Sequence, residues 1–146
     1  MSADRTAVDA NVLVYAFYRD TPQHAASRAW LDRAVRGEVE LCLTSQVLAE
    51  FFAIVTNPKR VSDPRTPDDA VAAIEAVLAL PGATLLPVPP QVTSRWLEML
   101  RHHPVRGGAV FDLQLIATLV VNGVERICTF NRADFEGFPG LEIVAP

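Results

Sequence analysis

AVDANVLVYAF, residues 7–17, decides how this chain is read. An apolar run of this kind buries itself as a strand leading into a helix, yet Asp9 sits inside it with no lysine or arginine within three residues on either side. A lone buried charge costs several kcal/mol or is neutralised. Asp9 therefore lies at a strand end facing solvent, or something positive meets it there.

Outward from that stretch, residues 6–9 read as a short strand ending at Asp9, and NVLVYAF begins a helix. Thr21-Pro22 supplies an N-cap and a proline at the first helical position, with Ala25, Ala29, Leu31 and Val35 as apolar positions and Gly37 as the stop. ELCLT (40–44) is a second strand, and Thr44 or Ser45 caps the helix SQVLAEFFAIVTN, which stops before Pro58. After the polar loop NPKRVSDPR, Thr66-Pro67-Asp68-Asp69 repeats the cap-plus-proline signal for a helix reaching about Leu80. PGATLLPV turns into a third strand and PPQVTSRWLEMLRHH forms another helix. PVRGG is a flexible break, and AVFDLQLIATLVVNG is a helix ended by glycine. ERICTF is a fourth strand, NRADFEGF a loop with one helical turn, and LEIVAP a terminal strand. Short apolar strands alternating with helices predict an α/β fold, a parallel sheet covered on both faces. Ligands of such sheets gather at the carboxyl ends of strands near the point where strand order reverses, which is where Asp9 falls.

The chain has 146 residues, of which 50% are hydrophobic and 21% charged, as expected of one globular domain over 1–146. No internal repeat or interdomain linker interrupts it. Leu113–Val124, the longest charge-free helical run, is well short of the ~20 residues that span a bilayer. MSADRTAVDA lacks the apolar stretch of a leader, so a soluble, cytoplasmic protein without membrane association is expected. Cys42 and Cys128 each sit in a strand-like run and read as buried reduced thiols. A net charge of −4 gives no whole-surface attraction to nucleic acid, but a cluster of acids serving a metal accounts for such a balance.

Most of the 17 acidic residues suit helix starts or solvated faces. Three resist that reading. Glu50 in VLAEFFAIV has eight apolar neighbours wrapping most of the helix circumference. Asp112 in AVFDLQLIATLVV shares its segment with only Gln114 and Thr118 as polar company. An N-cap explains Asp9 taken alone, a first-turn dipole contact explains Asp112, and a buried salt bridge explains Glu50. Taken together, each would be an exception in its own apolar segment. Carboxylates from separate segments converge when a hard divalent cation offsets their repulsion, and Mg²⁺ or Mn²⁺ takes such oxygen ligands, some through water.

Other chemistries lack their residues. There is no phosphate-cradling glycine loop and no G-x-S-x-G elbow. His24, His102 and His103 have no Cys or Glu at zinc spacing and read as helix-surface residues. D-A-N-V-L-V faintly resembles the opening of haloacid-dehalogenase-type phosphatases, and a strand-end aspartate resembles response-regulator receivers. Both use a lysine late in the chain, whereas the one lysine here is Lys59, and Asn11 stands where the phosphatase motif has its second aspartate. Metal-activated water attacking phosphorus is what remains.

At these residues the chain resembles the PIN-domain ribonucleases, and within them the VapC-type toxins of bacterial toxin-antitoxin pairs. VDANVLVYAF is similar to the first motif of the family, Glu50 in LAEFF to the second, and Asp112 in VRGGAVFDLQLIATLVVNGV to the third. ICTFNRADFEGFPGLEIVAP resembles the closing motif. The resemblance implies a three-layer α/β/α fold on a parallel sheet of four to five strands, and a Mg²⁺- or Mn²⁺-dependent endoribonuclease. It makes Asp9, Glu50 and Asp112 the core of the metal site, with Asn11 positioning the first loop. The fourth position lies between Asp134, an acid, and Asn131, a neutral oxygen ligand, and one-metal and two-metal operation both stay open. Arg106, Arg132 and Lys59-Arg60 are weaker candidates for phosphate contacts. The implied partners are RNA, a cognate VapB-type antitoxin and a second copy of the chain. A catalytically silent PIN-like binding module is the alternative from another class, and a small-molecule phosphatase the weaker one.

Overall fold

The computed structural model describes residues 4–146, so the reading of residues 1–3 as the start of a segment without a leader lies outside the described residues. Five strands are present: β1 (Asp4–Val8), β2 (Val39–Leu43), β3 (Ala83–Leu85), β4 (Arg126–Cys128) and β5 (Glu142–Val144). All pair in parallel in the order β3-β2-β1-β4-β5. The chain steps one way from β1 to β3 and the other way from β4 to β5. With right-handed crossovers the connecting helices must then fall on opposite faces.

The packing follows that rule. On one side, α1 (Ala10–Phe17) packs on α2 (His24–Val35) and α3 (Ser45–Val55), and α3 packs on α4 (Pro67–Leu78). On the other, α5 (Gln91–His102) packs on α6 (Ala109–Val121). Val8, Leu41, Leu43 and Ile127 of the sheet are fully buried between Val12 and Val47 of the first layer and Leu115, Ile116 and Leu119 of the second. Each side chain so buried contributes roughly 1.5–3 kcal/mol, enough to fix the layers against one another. The expected three-layer α/β/α architecture is the one observed, with five strands.

Two helix starts behave as the sequence predicts. Thr44 Oγ1 accepts from the Val47 N–H at 3.2 Å, and Thr66 Oγ1 accepts from the Asp69 N–H at 3.2 Å. The start of α2 differs. It begins at His24, because the Thr21 hydroxyl donates to the Tyr18 carbonyl at 2.8 Å and closes the turn after α1. Its buried stripe is Ser27, Trp30, Leu31 and Ala34, while Ala25, Ala29 and Val35 are exposed. Trp30 has the largest area to hide and sets the inward face, and an alanine left outside costs little.

Gly82 shows a position that no other residue could fill. Its φ is +82°, and a Cβ there would lie 2.6 Å from the Ala34 carbonyl oxygen. The absence of a side chain lets the turn into β3 lie against the end of α2. Both cysteines are free and buried, as read from sequence. Among the described residues no helix is long and apolar enough to cross a membrane.

Candidate active site

Strand order reverses between β1 and β4, and the two chain segments leaving these neighbours carry the polar groups that meet there. Asp9 follows β1 directly, is 9% exposed, and donates its N–H to the Cys128 carbonyl at 3.0 Å. Its Oδ1 accepts the Ala10 N–H at 2.8 Å, so the residue caps α1. Its Oδ2 accepts the Thr129 hydroxyl at 2.9 Å and the Asn11 amide at 3.3 Å. Capping and a site role are thus compatible: one oxygen serves the helix and the other faces across the switch point.

Asn11 lies beside Asp9 and bonds to both segments. Its Nδ2 also donates to Thr129 Oγ1 at 3.3 Å, and its Oδ1 accepts the Phe130 N–H at 3.3 Å, which ties the first turn of α1 to the segment after β4. Thr129 was missed. It is buried, and besides donating to Asp9 it accepts the Asn131 N–H at 3.0 Å. The available signal was its place directly after an apolar strand, the same place Asp9 holds after β1.

Glu50 projects from α3, where its Oε1 accepts from Gln46 Nε2 at 3.2 Å. The same amide donates to the Phe111 carbonyl at 2.8 Å, immediately before Asp112. Gln46, also unanticipated, therefore spans the two acid-bearing helices. Among the described residues Glu50 has no ion pair, so the salt-bridge explanation for its burial has no partner to support it. Asp112 lies in the first turn of α6, half-buried. The fourth acid, Asp134, closes a short 3₁₀ turn at Arg132–Asp134 and is exposed.

These carboxylates share one electrostatic neighbourhood. Burial above all pushes the Asp112 carboxyl up to about 6, and the charges of Asp134, Asp9 and Glu50 add to the rise. Burial also raises Asp9, against the stabilising hydrogen bonds from Thr129 and the Ala10 N–H, and Asp134 raises it further. Glu50 is raised by burial, opposed by the Gln46 amide and reinforced by Asp9. Among the described residues no lysine, arginine or histidine pairs with any of the four acids, and no three His, Cys, Asp or Glu side chains close into a tight ligand cage. The donor set is all oxygen, unneutralised and partly desolvated, which suits a hard divalent cation with some ligands acting through water.

Of the remaining candidates, Asn131 alone touches this contact network. Asn131 is exposed and joins it through its backbone N–H. Arg132 donates from Nη2 to the Ile143 carbonyl at 3.0 Å. Arg106 and Lys59-Arg60 are exposed in loops. His24 donates from Nδ1 to the Tyr15 carbonyl at 2.8 Å, and His103 packs on Phe138 at 4.8 Å between ring centroids.

The fold is a parallel three-layer α/β/α sheet whose strand order reverses beside Asp9. The PIN domain family model matches residues 6–140, and the chain belongs to the PIN-domain family. Among its relatives are ribonuclease VapC43 of Mycobacterium tuberculosis, 34% identical over 79% of this chain and 78% of the relative, and ribonuclease VapC33 of the same species, 30% identical over 94% and 95%. The fold matches VapBC2 from Rickettsia felis, solved with a promoter DNA fragment, at a TM-score of 0.68 and 16% identity over 97% and 98% of the two chains. It also matches the sarcin-ricin loop cleaving toxin VapC20 of M. tuberculosis at 0.65 and 17% identity over 93% and 98%.

Proposed function

We propose that this chain is a divalent-metal-dependent endoribonuclease, the toxin of a VapBC-type pair, using Mg²⁺ or Mn²⁺. What supports this reading is the charge coupling of Asp112 to Asp134, Asp9 and Glu50, with no cationic side chain paired to any of the four among the described residues. In this proposal Asp9 and Asp112 hold the cation directly, with Glu50 and Asp134 direct or through water. When bound, such a cation lowers the pKa of water and offsets charge building on the phosphoryl oxygens. The chain supplies orientation. Thr129 and the Ala10 N–H hold the two oxygens of Asp9 against rotation, and Gln46 holds Glu50 relative to α6. Water adds to phosphorus, the bond to the 3′ oxygen breaks and a proton from the water ends on that oxygen, leaving a 3′-hydroxyl and a 5′-phosphate.

The relatives named as VapC ribonucleases, and solved neighbours titled as VapBC complexes from Rickettsia felis and Salmonella typhimurium, support RNA as substrate and a VapB-type antitoxin as partner. The test is incubation of purified protein with total RNA in Mn²⁺, in Mg²⁺ and in chelator, with Asp112→Asn alongside. Metal-dependent cuts bearing 5′-phosphates and lost in the variant are the expected result. A folded, metal-binding protein that leaves the RNA intact would favour a silent binding module.

A further inference from the structure

A cavity of about 370 Å³ opens beside the acids, between α1, α3 and the loop at residues 60–63. This is within the range that small organic ligands occupy. Asn11 lines it, and the same Asn11 side chain bonds to Asp9 Oδ2 at 3.3 Å, so one residue joins the cavity wall to the acid site. Tyr15 follows Asn11 by one turn on the same face of α1, and Ile54 follows Glu50 by one turn on α3. The cavity wall therefore includes residues about one helical turn along α1 and α3 from Asn11 and Glu50.

Its lining selects among occupants. Tyr15 offers an aromatic ring whose plane is fixed by an edge-to-face contact with Phe130, centroids 5.3 Å apart. The Tyr18 hydroxyl donates to the Asp63 carbonyl at 2.9 Å and pins the loop that forms the far wall. Asp20 and Asp63 line the cavity with Arg60 as the one cation, so the lining carries a net negative charge next to four further acids. That balance disfavours an acidic peptide. Asp63 already lies 3.3 Å from Arg65, whereas among the described residues Asp20 has no hydrogen bond or ion pair. A flat, uncharged group that stacks on an aromatic ring and presents donors to a free carboxylate fits best.

Resting on the ribonuclease reading, we infer that this cavity is a base-recognition pocket, taking a guanine of single-stranded RNA next to the bond that is cut. Guanine is the one standard base whose pairing edge sets two donors, N1–H and N2–H, side by side for a single carboxylate. Asp20 reads that edge, Tyr15 is the stacking platform, and Arg60 stands at the rim for the phosphate of the same nucleotide. Splayed bases held this way are the usual means of reading unpaired RNA.

The experiment maps cut sites of wild type, Asp20→Asn, Tyr15→Leu and Tyr15→Phe on a randomised single-stranded RNA. In parallel, binding of fluorescent hexanucleotides with and without guanine is measured on wild type and Asp20→Asn. Wild type and Tyr15→Phe should enrich guanine at one fixed position beside the cut. Asp20→Asn should lose that enrichment by about tenfold or more, and Tyr15→Leu should lose it together with part of the overall cutting rate. Cutting without base enrichment, or enrichment unchanged in Asp20→Asn, overturns the pocket and leaves the ribonuclease standing. Guanine-selective binding that Asp20→Asn weakens, without any cutting, upholds the pocket and removes the ribonuclease. Variants that alter inhibition by a partner protein, with base preference intact, assign the cavity to that partner and overturn the inference, as does a protein that neither cuts nor prefers guanine.

Discussion

The Thr129 hydroxyl donates to Asp9 Oδ2 at 2.9 Å and thereby joins the ends of β1 and β4 across the point where strand order reverses. One hydrogen bond so links the fold's organising feature to its chemistry. The strands bring the two segments together through backbone pairing of Val8 with Cys128, and the next residue on each supplies one half of the polar contact.

Replacing Thr129 with Val keeps its shape and removes the hydroxyl, leaving Asp9 Oδ2 with the Asn11 amide alone and the Asn131 N–H without its acceptor. RNA cleavage should fall by about 10–100-fold, the range for groups that orient a metal ligand. Stability should fall by about 1–3 kcal/mol. Thr129→Ser should restore most of both. Parallel cleavage rates and thermal melts check this, and a Val variant of normal rate would show that Asp9 needs no such brace.

Asp112 sits at about 6 in the fold against an ordinary 3.8, so the folded state binds its proton more tightly than the unfolded state does. Stability is therefore lost as pH rises through that window, and the full penalty stands above pH 6. Asp112→Asn should melt a few degrees higher than wild type at pH 8 in chelator, an effect of about 1 kcal/mol after allowance for solvent screening at this half-exposed group. The advantage should vanish near pH 4. Melting curves across pH test it, and equal melting at pH 8 would mean that the like charges around Asp112 are already screened.

The sequence makes the sheet legible because its strands are short apolar runs ending in polar residues, and it exposes Asp9, Glu50 and Asp112 because each breaks an apolar pattern. Thr129 and Gln46 break no pattern. A threonine after a strand and a glutamine in the first turn of a helix are ordinary locally, and their roles arise from the neighbours that β1–β4 pairing and α3–α6 proximity create. The inward face of α2 is not legible for a related reason. Alanine is compatible with either side of a helix, so Ala25 and Ala29 carried no directional information, while Trp30 did.

Thr44 caps the helix that carries Glu50, and its Oγ1 satisfies the Val47 N–H at the buried carboxyl end of β2. Thr44→Ala should cost about 1–2 kcal/mol by loss of that cap. Because Gln46 lies in the turn so loosened, Glu50 should also lose alignment with α6, and cleavage should drop several-fold beyond what the unfolded fraction explains. Thr44→Ser should preserve both quantities. A stability loss with an undiminished rate per folded molecule would show that Glu50 is placed by tertiary packing alone.

Proton and cation compete for the same carboxylates. With Asp112 titrating at about 6, metal affinity measured by calorimetry should rise with pH, steepest below 6 and levelling above it, because the ligand must be deprotonated before it binds. Below 6 the slope should approach tenfold per pH unit for one proton released, and exceed it where Asp9 or Glu50, both raised by burial, release protons too. In Asp112→Asn the affinity should be weaker at pH 8, and its dependence near pH 6 should flatten. A wild-type affinity independent of pH between 5 and 8 would place the cation on groups other than Asp112, and the four-acid site proposed here would have to be redrawn around Asp9.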